Sequence, residues 1–388
     1  LKNTDLLLTG GWINGQEVQS DRKFSVSNPA TREVIAKVSD LGAIDAQDAI
    51  NAASAAFEEW RKCPMQERLE LVQRWANLIE EHANDLGIII CSENGKPYRE
   101  ARGEALQCAA LLRWFTDGVQ RQQGEDYPSG RQSQRNYTIK QPVGVVACIT
   151  PWNFPAAAVA VKSGAAIVTG CTTITKPSDE TPLIALAFAK LSGDAGLPPG
   201  VFNVIPCSGP VAVGDELCSS PDVRMLSFTG STRTGKHLYS ACGDTIKRLA
   251  LELGGNAPFV VFDDADMEGA VSAAVGARFY NSGQICVGAN RFLVHEDIYD
   301  EFAEKLTERV SQMTAGNGFD ESSDIGPMIN PAAIDRLTHL VDSATAMGAK
   351  VLTGGKPLDD YSLFFSPTVI ANMGVDMPAY NTEIFGPV

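Results

Sequence analysis

A chain of 388 residues, 44% hydrophobic and 20% charged, is long enough for two domains or more and has the composition of an ordinary globular protein. Its 32 basic against 47 acidic residues, a net charge of −15, exclude a nucleic-acid-binding or anionic-membrane surface. Nine cysteines without CxxC spacing and four histidines without HExxH or HxH spacing predict reduced thiols in a cytoplasmic setting and no protein metal site.

The first residues, Leu1 to Leu8, lack the long apolar run and cleavage site of a signal peptide. The longest apolar segment, Ala156 to Val168, is interrupted by Lys162 and Ser163 and is too short to span a bilayer, so no membrane association is expected. Residues 8–40 read as short strands, with a turn over Gly10 to Gly15. Asp45 opens a helix with Asp48 as a capping-box variant, and Ala49, Ala52, Ala53, Ala56, Phe57 and Trp60 share one face. Pro64 starts a second helix with Leu69, Leu71, Val72, Trp75, Leu78 and Ile79 inward. A third carries Leu86 to Cys91, and a long one runs from about Glu100 to Val119. Residues 120–142 are polar and poor in core residues, which predicts a protruding hairpin that either contacts another subunit or domain or stays a mobile loop.

From Val143 strands alternate with helices. Val143 to Ile149 is a continuous apolar run, as a strand buried on both faces requires. Strands follow at 172–175, 201–205, 225–228 and 248–252, with helices between; Thr181 is the expected N-cap of the helix that Pro182 begins. This alternation predicts an α/β fold with an open parallel sheet of Rossmann type. A second α/β pattern begins after Gly254-Gly255, with strands at 259–262, 291–294 and 350–352 and helices at 267–280, 297–315 and 331–347.

Several stretches carry groups suited to chemistry. Phe228-Thr-Gly-Ser-Thr-Arg-Thr-Gly235 places glycines five apart at a strand-to-helix turn, where free amides hold a phosphate or simply close an ordinary loop. Ile149-Thr-Pro-Trp-Asn153-Phe-Pro155 lies at a strand's carboxyl end, where α/β sheets place ligands. Its bracketed Asn153 is either an oxyanion donor or part of a rigid turn. Lys176-Pro-Ser-Asp-Glu-Thr-Pro182 offers an ammonium, a hydroxyl and carboxylates to ribose, or is a solvated loop. Glu252, between Leu251 and Leu253, is either a partly desolvated general base or an ion-paired carboxylate. Glu383-Ile-Phe-Gly-Pro387 adds a carboxylate and a ring at a turn. Asn281-Ser-Gly-Gln-Ile-Cys286-Val-Gly-Ala-Asn-Arg291 sets one cysteine among small and polar residues, which suits an exposed sulfur.

In this order and spacing the motifs resemble the NAD(P)-dependent aldehyde dehydrogenase superfamily over essentially the whole chain. The resemblance implies that Cys286 is the nucleophile, that Asn153 and the Cys286 N–H form the oxyanion hole, and that Glu252 activates water. It further implies that Lys162 serves proton relay. The implied cofactor set is Ile149, Thr150, Pro151, Trp152, Lys176, Ser178, Asp179, Gly209, Phe228, Gly230, Ser231, Gly255, Glu383 and Phe385. Asp179 stands where NAD-preferring members carry an acid, so NAD is expected; Lys176 and Ser178 leave NADP open. The implied domains are a cofactor domain (1–119 and 143–253), an oligomerisation hairpin (120–142) of a homodimer or homotetramer, and a catalytic domain (254–388). The family pattern continues beyond Val388, so more catalytic-domain sequence is expected there.

The texture of Glu100-Ala-Arg-Gly-Glu104 and of Glu252 to Asp266 is similar to the succinate-semialdehyde dehydrogenase branch. Three positions depart from it: Tyr280 and Val161 stand where that branch has arginines, and Gly288 where it often has a second cysteine. Each missing guanidinium removes a carboxylate partner worth about 1.5–3 kcal/mol. Another small or uncharged aldehyde therefore stands beside succinate semialdehyde. A CoA-acylating dehydrogenase is disfavoured because such enzymes usually lack the Glu at position 252. A non-catalytic relative is disfavoured because Cys286 and Glu252 are both present.

Overall fold

The computed structural model describes residues 1–359 and 361–388, which divide into two compact units. The first comprises residues 1–26, 36–86 and 102–252, the second residues 27–35, 87–101 and 253–388. Segments 27–35 and 87–101, grouped by the sequence reading with the cofactor domain, thus cluster with the C-terminal part of the chain.

The first unit is built on a seven-stranded sheet. Its centre is four parallel strands in the spatial order Val223–Gly230, Val145–Ile149, Thr172–Lys176, Phe202–Val204. Arg248–Leu253 lies beside Val223–Gly230 at one edge; Gly11–Ile13 and Gln16–Val18 add antiparallel at the other. Every residue of Val145–Ile149 and Thr172–Lys176 is buried, which explains the unbroken apolar run at 145–149. The chain moves outward from Val145–Ile149 through Thr172–Lys176 to Phe202–Val204, then returns to pair Val223–Gly230 on the opposite side. That reversal makes the carboxyl ends of Val145–Ile149 and Val223–Gly230 a topological switch point, where open α/β sheets bind ligands.

Helices cover the sheet. Trp60, at the end of Ala43–Trp60, donates its indole N–H to Ile167 O at 3.1 Å, and Trp75, in Met65–Glu81, donates to Phe188 O at 3.1 Å. Burying each ring contributes roughly 4–6 kcal/mol before conformational entropy is subtracted. Two expected caps differ. The first helix starts at Ala43, and Asp45 is its third residue, accepting from Gly42 N–H at 2.8 Å. Thr181 caps nothing: Pro182 occupies the N-cap position of Leu183–Asp194, and the buried Thr181 hydroxyl has no hydrogen-bond partner. Residues 120–142 do form a hairpin, reduced to Asp126–Tyr127 paired antiparallel with Asn136–Tyr137.

In the second unit Pro258–Val261 pairs in parallel with Arg291–Val294, Pro258 opposite Arg291 and Val261 opposite Val294. Helices Met267–Phe279 and Tyr299–Ser311 bury Val271, Ala274, Phe279, Phe302 and Leu306 in one apolar cluster with Val261. Lys350–Thr353 pairs antiparallel with Val369–Ala371 beside the helix Pro331–Ala346. No helix among the described residues is long and apolar enough to cross a membrane.

Candidate active site

In the first unit the predicted residues collect at the carboxyl ends of the parallel strands. Ile149 ends one strand and leads into Thr150, Pro151, Trp152 and the buried Asn153. Thr150 N–H donates to Lys176 O at 3.1 Å, which holds the neighbouring strand end in register. Lys176 is buried and donates its ammonium to Pro177 O at 2.9 Å; Ser178 is half-buried and Asp179 exposed. Across the switch point Phe228 is buried, Gly230 half-buried, and Ser231 caps Thr232–Ala241 by accepting from Thr234 N–H at 3.2 Å. The first turn of that helix is exposed, so its open amides suit a phosphate. Gly209 precedes the helix Pro210–Ser219 and is exposed.

The helix after Asn153 is not uniform. Pro155–Val159 and Ala165–Val168 are α-helical, and Ala160–Gly164 forms a π-helical turn between them. Such turns recur where a helix must redirect side chains. Val161 is 45% exposed on one side of this turn, and Lys162 turns inward to donate to Ser227 Oγ at 3.0 Å. Burial pulls the Lys162 ammonium below its ordinary pKa, with Cys148 and then Glu252 opposing.

Glu252 differs from expectation. Its strand, Arg248–Leu253, is the sheet's terminal one, and Glu252 is exposed rather than desolvated. A terminal strand is covered less completely than a central one, so its flanking leucines are only half-buried and do not enclose the carboxylate.

The second unit holds Cys286. Tyr280–Gly283 is a tight turn with three consecutive left-handed residues: Asn281 (φ 49°), Ser282 (φ 56°) and Gly283 (φ 72°). Non-glycine residues in that region cost of order 1–3 kcal/mol each and persist only where their surroundings impose them. Here Asn281 N–H donates to Glu100 Oε2 at 2.8 Å, Ser282 Oγ to Gly326 O at 2.9 Å, and Ile329 N–H to Gln284 Oε1 at 3.0 Å. The chain then makes a β-turn, Gly288 N–H donating to Ile285 O at 3.2 Å, with Cys286 and Val287 exposed at its tip. Tyr280 is 38% exposed at the start of this loop.

Two arginines that the sequence reading missed hold the frame. Arg278, 2% exposed, donates to Ala289 O at 3.1 Å and to Gly386 O, tying the far side of the Cys286 turn to the Glu383–Pro387 segment. Burial pulls its guanidinium down to about 10, with Glu383 opposing, so it stays charged at neutral pH. Arg336 donates to Ile384 O and, at 3.3 Å, to Phe385 O. The available signal was an arginine set directly before Phe279 at the end of an apolar helix.

Glu383 is half-buried and lies against Gly254-Gly255: a Cβ at Gly254 would sit 2.3 Å from Glu383 Oε2. Burial raises the Glu383 pKa, partly offset by the Gly255 N–H, Arg336 and Arg278. Its buried Oε1 has no protein hydrogen-bond partner, which fits an acceptor reserved for a ligand hydroxyl such as a ribose. Within the first unit, the Ser231 helix terminus and the Lys176 strand end offer donors suited to a phosphate and a ribose.

Cys286 is the exposed thiol of nine; Cys63 is half-buried and the other seven are buried. Burial raises Cys91 and Cys218 to about 12 and Cys148 to about 11, which keeps these thiols protonated and unreactive. Brief iodoacetamide treatment at neutral pH is therefore expected to label one equivalent of thiol per chain, mapped to Cys286 by peptide mass. Label distributed evenly over several cysteines would contradict the structure.

Among the described residues, Asp263, His295 and Asp297 form the one group placed to hold a metal ion, and none of them belongs to the predicted site. An apolar cavity of about 380 Å³ among Phe292, Val294, Phe302, Leu306, Val369 and Ile370 is likewise separate from the residues that carry chemistry.

Comparison with known proteins identifies the family and the fold. The model of the aldehyde dehydrogenase family matches residues 12–388. A probable succinate-semialdehyde dehydrogenase [NADP(+)] of Sinorhizobium fredii is 45% identical over 95% of this chain and 75% of its own length. A succinate-semialdehyde dehydrogenase structure from Burkholderia pseudomallei superposes with a TM-score of 0.98 at 42% identity, covering 100% of this chain and 80% of that one. A Staphylococcus aureus betaine aldehyde dehydrogenase in complex with NAD+ gives 0.95 at 35% identity, covering 99% and 78%. The protein belongs to the aldehyde dehydrogenase family and is an NAD(P)-dependent oxidoreductase.

Proposed function

We propose that the chain oxidises succinate semialdehyde to succinate. The observation that carries this reading is the exposed thiol of Cys286 at the tip of its turn, together with succinate-semialdehyde dehydrogenases at 42–45% identity along the chain. Cys286 Sγ, as thiolate, attacks the aldehyde carbon to give a thiohemiacetal. The Asn153 amide and the Cys286 N–H donate to the oxygen as it becomes negative. Loss of hydride from that carbon leaves a thioester. Glu252 takes one proton from water as its oxygen attacks the thioester carbon; the C–S bond breaks, releasing the Cys286 thiolate and the carboxylic acid, which loses its proton to solvent. The exposure of Glu252 leaves its carboxylate open to water, which a base requires. Lys162, hydrogen-bonded to Ser227 and destabilised as an ammonium by burial, is suited to pass protons.

Bound NAD(P)+ supplies the hydride acceptor. The residues proposed to hold it are Ile149 to Trp152, Lys176, Ser178, Asp179, Gly209, Phe228, Gly230, Ser231, Gly255, Glu383 and Phe385. The exposed carboxylate of Asp179 repels a 2′-phosphate and favours NAD; Lys176 and Ser178 beside it leave NADP usable. The hairpin at 120–142, with Tyr127, Tyr137 and Ile139 exposed, is proposed as the contact of a homodimer or homotetramer. Nine cysteines without a disulfide favour a cytoplasmic location.

A second reading, an uncharged aldehyde, is favoured by Val161 and Tyr280, both exposed and both without a cation for a substrate carboxylate. The test is kcat/KM for succinate semialdehyde and for butanal, each with NAD and NADP. At least a tenfold preference for succinate semialdehyde is expected, with NAD ahead of NADP. Equal values for the two aldehydes would select the second reading, and a thioester product formed only with CoA would overturn hydrolysis.

A further inference from the structure

The pair of glutamates in Glu100-Ala-Arg-Gly-Glu104 has no part in the chemistry above, yet Glu104 is 1% exposed and its carboxylate reaches the turn that carries Asn153. Glu104 Oε1 accepts from Ala156 N–H at 2.9 Å and from Ala157 N–H at 3.0 Å. These are the second and third residues of the helix that Pro155 begins, and the residue before it, Phe154, offers no side-chain cap. An uncapped helix start leaves its first amides without intrahelical acceptors. A buried carboxylate on two of them forms charge-assisted bonds at the positive end of the helix. The clamp lies only three and four residues from Asn153, and Pro155 restricts the chain between them. Behind Asn153, strand Val145–Ile149 is paired on both sides. The strand holds the turn from one end, and Glu104 holds it from the other.

We propose that Glu104 is a positioning residue for Asn153: it fixes the pitch of the Asn153–Pro155 turn so that the Asn153 amide meets the substrate oxygen as it becomes negative. Displacing such a donor by about 1 Å costs on the order of 10²-fold in rate. This rests on the role of Asn153 proposed above. It adds that the role depends on a carboxylate 49 positions earlier in the chain.

The experiment is a double-mutant cycle on aldehyde oxidation, with kcat and KM measured separately and NAD(P)+ binding followed by fluorescence. Glu104→Leu and the shorter Glu104→Asp are each expected to lower kcat at least tenfold, with aldehyde KM and NAD(P)+ affinity within threefold of wild type. Glu104→Gln retains an acceptor oxygen at the same reach and is expected to recover most of kcat. In an Asn153→Ala background, Glu104→Asp is expected to lower kcat by less than twofold further, because the group it positions is gone. Equal losses in the two backgrounds, or an unchanged kcat in both Glu104→Leu and Glu104→Asp, would overturn the proposal. If Glu104→Leu fails to fold, the Glu104→Asp arm decides. An Asn153→Ala enzyme as fast as wild type would instead refute the oxyanion role, a separate result.

Discussion

Cys286→Ala is expected to reduce aldehyde-dependent formation of NAD(P)H by about four orders of magnitude or more, to background, because the covalent route has no substitute nucleophile. The structure makes this the largest single effect on activity. Seven of the other eight cysteines are buried, and burial lifts Cys91 and Cys218 to about 12. Cys63 is only half-buried, but burial and the neighbouring Glu67 both raise its pKa. None of them is exposed at the tip of a turn as Cys286 is. The variant should nevertheless fold, since truncating an exposed turn residue changes stability by only about 0.5 kcal/mol. The check combines initial rates with a thermal melt and nucleotide binding. A folded Cys286→Ala enzyme within tenfold of wild-type turnover would contradict the proposed mechanism.

Gly283→Ala should produce the largest loss of stability, on the order of 3 kcal/mol or more, from overpacking and a left-handed non-glycine residue together. Gly283 has φ 72°, and an added Cβ would lie 2.1 Å from Gly386 O and 3.0 Å from Arg278 O. Both obstacles are backbone atoms, so no side-chain rotation relieves them. Gly386 O is also the acceptor for buried Arg278, which further donates to Ala289 O and to Asn290 Oδ1 beyond Cys286. Displacing Gly386 therefore disturbs the anchor of the nucleophile loop, and activity should fall with stability. Gly276→Ala is the control: its Cβ meets nothing within 4 Å, and it lies within the helix Met267–Phe279. Alanine there should be neutral or stabilising by up to about 1 kcal/mol. Urea midpoints of the two variants compare them directly, and equal midpoints would contradict this account of the loop.

The parts of the site that were legible in the sequence are those whose chemistry is local. A strand buried on both faces has an unbroken apolar code, so Val145–Ile149 was readable and with it the strand-end position of Asn153. Arg291–Val294 was likewise bounded by its composition. Elements set by competition at their ends were less legible. Thr181 has the right side chain for an N-cap, yet Pro182 takes that position and the Thr181 hydroxyl is buried without a partner. Glu252 lies between two leucines, but only the order of strands shows that its own is at the sheet's edge and leaves it exposed.

The sequence by itself determined the reaction class through the resemblance of its motifs, in their order and spacing, to the aldehyde dehydrogenase family, since each motif alone also fits an ordinary turn or loop. Residue type and order along the chain, both readable without the fold, carry that resemblance. Only the tertiary structure decided what holds the site residues. The bonds from Glu104 to Ala156 and Ala157, from Glu100 to Asn281, and from Arg278 to Gly386 join residues 52, 53, 181 and 108 positions apart. A buried charge satisfied by distant backbone groups leaves no periodic trace in sequence, because its partner is a main-chain atom that every residue possesses.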